Sequence, residues 1–209
     1  ADDAALLEAN GFELTIDLNQ PGYISATAAR GDHVTKIEWS RDSDWRFMPV
    51  LQHPDCGYLL DPIDLAVNKV LALAGRNEPR DFIDILLIHQ DELTLGALCW
   101  AAPGKDPGFT PMSLLELLRR RGRHRPEDFR RLQLTFDVDP VALKTEWLAA
   151  VDEADAFIRR RPWQDIGCLF YSRSRSSVVS PGPDDAIGPD QDIAPHFGAP
   201  GGVVPRALP

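Results

Sequence analysis

The chain has 209 residues, 44% of them apolar and 26% charged, which are the proportions of a globular protein with one sizeable domain, or one and a fragment. Its 32 acidic and 22 basic residues give a net charge of -10, which excludes bulk electrostatic attraction to nucleic acid or an anionic membrane but leaves room for a local basic patch. Three cysteines (Cys56, Cys99 and Cys168) are odd in number and widely spaced, so neither a disulfide framework nor a zinc site is indicated. With apolar runs too short to span a bilayer and no secretory signal, the expected setting is cytoplasmic and reducing.

In chain order, residues 2–10 read as a short helix stopped by Gly11. Three strand-like runs follow at 12–17, 23–28 and 34–40, separated by turn signals at Asn19-Gln20-Pro21-Gly22 and Gly31-Asp32. The front of the chain is therefore expected to be an antiparallel meander behind one helix. That is little for an independent core, and the chain begins without Met, so it reads as a piece of a longer protein. Residues 41–60 are irregular. Asp61 then caps a helix with Pro62 in its first position and Gly75 past its end. A second helix starts around Pro79, a short one covers 93–101, and Thr110-Pro111 caps another that runs from Ser113 to Arg121. Pro126 starts one more, and 140–160 is a long amphipathic helix. From Ser172 the composition turns to Ser, Pro, Gly and Asp without periodicity and predicts disorder. The expected fold class is α+β: a sheet-bearing part at 1–58, a helical domain at 59–171 and a disordered tail at 172–209.

The helices hold the first site candidates. Lys69 and Asp84 are charges within helical runs that are otherwise nearly all apolar, and charges so placed are usually paired, ligand-bound or perturbed. Two bland readings compete with a site. Lys69 can extend its head group to water, and Asp84 can pair with Arg80 at the i, i+4 spacing, with Asp81 decorating a helix start. A structural Lys69–Asp84 lock between the helices is a further alternative. On the third strand, Glu38 shares a face with Lys36 and Ser40, and taken alone it reads as a solvent-facing glutamate. The dense basic run around Arg119, Arg120 and Arg123 suits phosphate, because the guanidinium fork binds two oxygens, and equally suits a solvated helix end.

The run from Leu60 to Leu73, followed by Arg80-Asp81-Phe82-Ile83-Asp84-Ile85, resembles the AbiEii-type nucleotidyltransferases, toxin components of bacterial toxin–antitoxin systems. The segment 101–109 and the helix after it are similar as well, so the resemblance covers roughly residues 1 to 160. It implies part of a nucleotidyltransferase sheet followed by a helical domain, and transfer of a nucleotide from an NTP with magnesium held by carboxylates. It implies Lys69 at the triphosphate, Asp84 in catalysis or substrate positioning, and Glu38 as a third carboxylate and metal ligand. Arg80, Asp81, Arg119, Arg120 and Arg123 fall to substrate binding. The basic patch at 119–131 points to an RNA acceptor, and an antitoxin protein is the other expected partner, with no membrane.

One part of the family pattern is missing. Its first motif is a Gly-Ser turn followed by a D-x-D pair on a strand. Asp42-Ser43-Asp44 and Asp137-Val138-Asp139 have the D-x-D form, and neither follows such a turn. The expectation is an enzyme that is inactive as it stands, or a non-catalytic remnant that binds a partner.

Overall fold

The computed structural model describes residues 2–55, 57–132 and 134–205. These residues form an α+β protein with seven helices and several small antiparallel sheets. They divide into two compact units, the first ending at Ser43 and the second starting at Asp44.

The first unit is the expected helix and meander. Helix α1 spans Asp2–Ala9, and strands β1 (Glu13–Gln20), β2 (Tyr23–Arg30) and β3 (His33–Ser40) form a sheet in the order β1-β2-β3. Two-residue turns at Pro21-Gly22 and Gly31-Asp32 set the register, with a bulge in β1 between Ile16 and Leu18. Only the central strand is well covered: Ser25, Ala26 and Ala28 are buried, while β1 and β3 are largely exposed. The Trp39 indole donates to Asp3 at 2.8 Å, and Arg30 stacks on the Phe12 ring at 4.5 Å.

The second unit is built on helices α2 (Pro62–Arg76), α3 (Pro79–Asp91), α4 (Leu95–Lys105), α5 (Pro111–Arg121), α6 (Pro126–Arg130) and α7 (Pro140–Arg159). Each starts as the sequence dictates. The Asp61, Thr94, Thr110 and Asp139 side chains accept from the first-turn N–H groups of α2, α4, α5 and α7, and proline opens five of the six helices. Helix α2 continues past Gly75. Asn77 ends it in the left-handed region at φ 53°, with its N–H on the Leu73 carbonyl. Helix α4 is buried from Leu95 through Pro103, as expected of a helix apolar on all sides. It packs against α2, α5 and α7. Large side chains such as Trp100, Trp147, Phe82 and Leu98 complete this core.

Two expectations are corrected by these contacts. Residues 44–58 belong to the helical unit, because strand β4 (Trp45–Arg46) pairs with strand β10 (Ala199–Pro200) and the backbone at 47–48 is held by Asp64. A hairpin of β5 (Leu51–His53) and β6 (Gly57–Leu59) lies in the same stretch. The tail is not structureless through the described residues. Strands β7 (Leu169–Ser172), β8 (Ser177–Val179) and β9 (Ile193–His196) form a sheet in the order β8-β7-β9. These strands are three or four residues long, too short to show periodicity, and specific contacts pin them. Asp192 accepts from Ser172 Oγ and the Ser174 N–H, each at 2.8 Å. Arg161 stacks on Phe157 and Phe170 and donates to the Pro181 carbonyl at 2.6 Å. Cys56 and the last tail residues, 206–209, lie outside the described residues. Cys99 and Cys168 are free and buried. No helix among the described residues is long and apolar enough to cross a membrane.

Candidate functional site

Lys69 and Asp84 meet, as the first members of a larger cluster. Lys69 Nζ lies 2.6 Å from Asp84 Oδ2 and 3.2 Å from Asp81 Oδ1. About two turns further along α2, Arg76 grips Asp81 with both prongs, Nε to Oδ2 at 2.7 Å and a terminal nitrogen to Oδ1 at 2.9 Å. Lys69 and Arg76 are seven residues apart on one face of α2, and Asp81 and Asp84 three apart on α3, so the four charges join the facing helices.

Exposure separates their roles. Asp81 is fully buried, whereas Lys69 is 34% and Asp84 40% exposed. Burial alone would raise the Asp81 carboxyl. The Arg76 and Lys69 hydrogen bonds and charges outweigh it and hold the group below the usual carboxylate range. Burial of Lys69 pulls its ammonium downward, and the Asp84 and Asp81 carboxylates overcome that and raise it. Lys69 is therefore a fixed cation at neutral pH. That setting suits an electrostatic contact and argues against a lysine acting as base or nucleophile. Arg80, the alternative partner of Asp84, is exposed and forms no ion pair among the described residues.

A second polar cluster lies deeper and was not singled out by the sequence. The fully buried Asp64 accepts the Phe47 N–H at 3.0 Å and the Met48 N–H at 2.9 Å. Lys105 Nζ reaches Asp64 Oδ1 at 2.8 Å and Asn68 Oδ1 at 2.8 Å. The i, i+4 spacing of Asp64 and Asn68 is the one local signal that marks this face. Its chemistry is saturated, and its effect is to tie α2, the end of α4 and the 47–48 backbone together.

The other expected site residues have settings of their own. Glu38 belongs to the first unit, where Lys36 Nζ meets Oε1 at 2.8 Å and the Tyr23 hydroxyl donates to the same oxygen. Arg119, Arg120 and Arg123 are exposed at the end of α5 and in the loop after it. Arg119 and Arg123 line a cavity that none of Lys69, Arg76, Asp81 and Asp84 lines. The D-x-D strings at 42–44 and 137–139 are local devices: Asp42 accepts the Ser43 N–H at 2.8 Å, and Asp139 caps α7.

Magnesium takes oxygen ligands from one or two carboxylates together with substrate phosphates. These residues fit it poorly. Glu38 is turned to an ammonium, and both Asp81 oxygens are taken by cations. Among the described residues, no group of three or more His, Cys, Asp or Glu is placed to hold a metal ion. Compared with known protein families, with curated proteins and with solved structures, the chain finds no match.

Proposed function

We propose that this chain is the helical portion, with part of the sheet, of a nucleotidyltransferase-type protein of the AbiEii toxin kind. Lys69 meets the triphosphate of an NTP, and a nucleotide passes to an acceptor. The observation that carries this reading is the setting of Lys69. Its ammonium is held charged between Asp81 and Asp84, and a third of the side chain stays open to solvent. Two of its three N–H donors point at carboxylates, and the third is available to a phosphate oxygen. A cation fixed in this way offsets charge on the phosphates without having to reorganise. Asp84 and Asp81 keep the ammonium in place, and Arg76 keeps Asp81 ionised. Arg119, Arg120 and Arg123 suit an RNA acceptor. Magnesium would arrive with the nucleotide phosphates, and no step is assigned to it. A cytoplasmic location belongs to the same proposal.

The test is incubation of the full-length gene product with labelled NTPs, magnesium and total RNA. A labelled product that Lys69→Ala abolishes is expected. No product, or labelling unchanged by Lys69→Ala, overturns the reading.

A second reading is a partner-binding protein without transfer activity, docking a cognate antitoxin. The engagement of Glu38 with Lys36 and the turn and cap roles of Asp42 and Asp139 favour it. Absence of transfer, combined with a stoichiometric complex with the protein encoded beside it, would decide for this reading.

A further inference from the structure

The loop that follows α5 closes one side of a cavity of about 650 Å³, within the range of small-molecule sites. Its wall is aromatic. Phe82 packs on Trp147 with ring centroids 4.9 Å apart and on Phe129 at 6.0 Å. His124 meets Phe82 edge-on at 5.2 Å. Arg119, Arg123 and Lys144 also line the cavity, and no carboxylate does. All three are exposed, and none forms an ion pair among the described residues. Three cations around one cavity stand out on a chain whose net charge is -10.

Two ring nitrogens of the same wall lack partners. Trp147 is 2% exposed, and its Nε1 donor is buried with no acceptor. His124 Nε2 is buried and unpartnered as well. Buried polar atoms of this kind are uncommon in folded proteins and call for a partner. Gly122 contributes to the setting, since a Cβ there would come 2.3 Å from Trp147 Nε1. Glycine thus lets the loop after α5 close directly over that nitrogen.

We propose that this cavity binds a nucleoside phosphate, with the base against the Phe82–Trp147 wall and the phosphate among Arg119, Arg123 and Lys144. A nucleobase supplies a flat ring for the aromatic lining of the cavity. Its phosphate supplies the oxygens for the guanidinium and ammonium groups. The ligand is either a free nucleotide or one unstacked residue of a single-stranded RNA. The inference is independent of the role given to Lys69.

The experiment follows the Trp147 indole N–H by heteronuclear NMR, assigned through Trp147→Phe, in the full chain. AMP, adenosine, inorganic phosphate and a single-stranded RNA pentamer are each titrated. AMP or the pentamer is expected to shift this resonance saturably, with adenosine and phosphate at least tenfold weaker. Arg123→Gln combined with Lys144→Gln should weaken binding at least tenfold with an unchanged circular dichroism spectrum, while Lys69→Ala should leave it alone. A tighter response to AMP assigns the source to free nucleotide, and a tighter response to RNA assigns it to a strand. An indole unmoved by both, equal binding of inorganic phosphate, or full affinity in the double variant overturns the proposal.

Discussion

Replacing Asp64 by asparagine probes the deepest polar junction of the second unit. The asparagine oxygen can accept one of the two N–H groups that Asp64 now receives from Phe47 and Met48, and its NH2 group then faces the other. Lys105, whose side chain is only 9% exposed, loses its counter-charge. Removing one member of a buried pair costs about 3–5 kcal/mol, and an unsatisfied buried N–H about 1–3 kcal/mol. Partial relaxation makes these overlap, so about 4 kcal/mol is expected for Asp64→Asn. Against the ~5–15 kcal/mol of a typical domain, that is a large share. Adding Lys105→Met removes the stranded ammonium and should restore about half of the loss. Urea unfolding, followed by tryptophan fluorescence at a shared slope, measures both. A stability for Asp64→Asn within about 0.5 kcal/mol of the parent, or a Lys105→Met change that adds to the loss instead of relieving it, would refute this account of the junction.

Asp81 provides a pH test. Its carboxyl is held below its unfolded value, so its contribution is present above the unfolded pKa and is lost as pH falls through the lower folded value. The stability gap between the parent and Asp81→Asn should therefore be constant near neutrality and shrink steadily as acid is added, as read from urea midpoints along a pH series. Gly104→Ala would place a Cβ 2.4 Å from the Gly167 carbonyl oxygen, a backbone atom that cannot swing away. A loss of about 2 kcal/mol is expected in the same unfolding assay. Burial pushes the Cys168 thiol up to about 12 and raises Cys99 as well. Neither should react with a thiol reagent in the native protein, and both should react in urea, as peptide mapping by mass spectrometry would show.

Local chemistry made much of this architecture readable. Asp61-Pro62, Thr110-Pro111 and Asp139-Pro140 announce three helix starts because each satisfies its first-turn N–H groups from within the same few residues. The face that Glu38 shares with Lys36 followed from strand alternation, and the two do meet. The Lys69–Asp84 contact was legible because both charges interrupt apolar helical faces. Asp64 was not legible. At a helix start it looks like an ordinary first-turn acid, and its partners lie 16, 17 and 41 residues away, two of them in irregular backbone. The strands after Ser172 were hidden for a related reason. Their order comes from Asp192, Arg161 and Arg173 reaching backbone atoms far along the chain, and composition alone carries no trace of that.

The pairing of β4 with β10 reaches further than the two short strands suggest. Gly201 donates to the Asp44 carbonyl at 2.6 Å, Val203 to that of Phe47 at 3.1 Å, and His196 Nε2 lies 2.9 Å from the same Phe47 oxygen. Among the described residues, the segments of the second unit before α2 and after β9 therefore meet at one place, with its six helices strung between. Closing so long a loop is entropically unfavourable until the helices have packed, so this seam should form late in folding and open early in unfolding. The same adjacency makes the unit a natural candidate for circular permutation: a short linker across the seam, with new ends cut in an exposed loop, should leave the helical core intact.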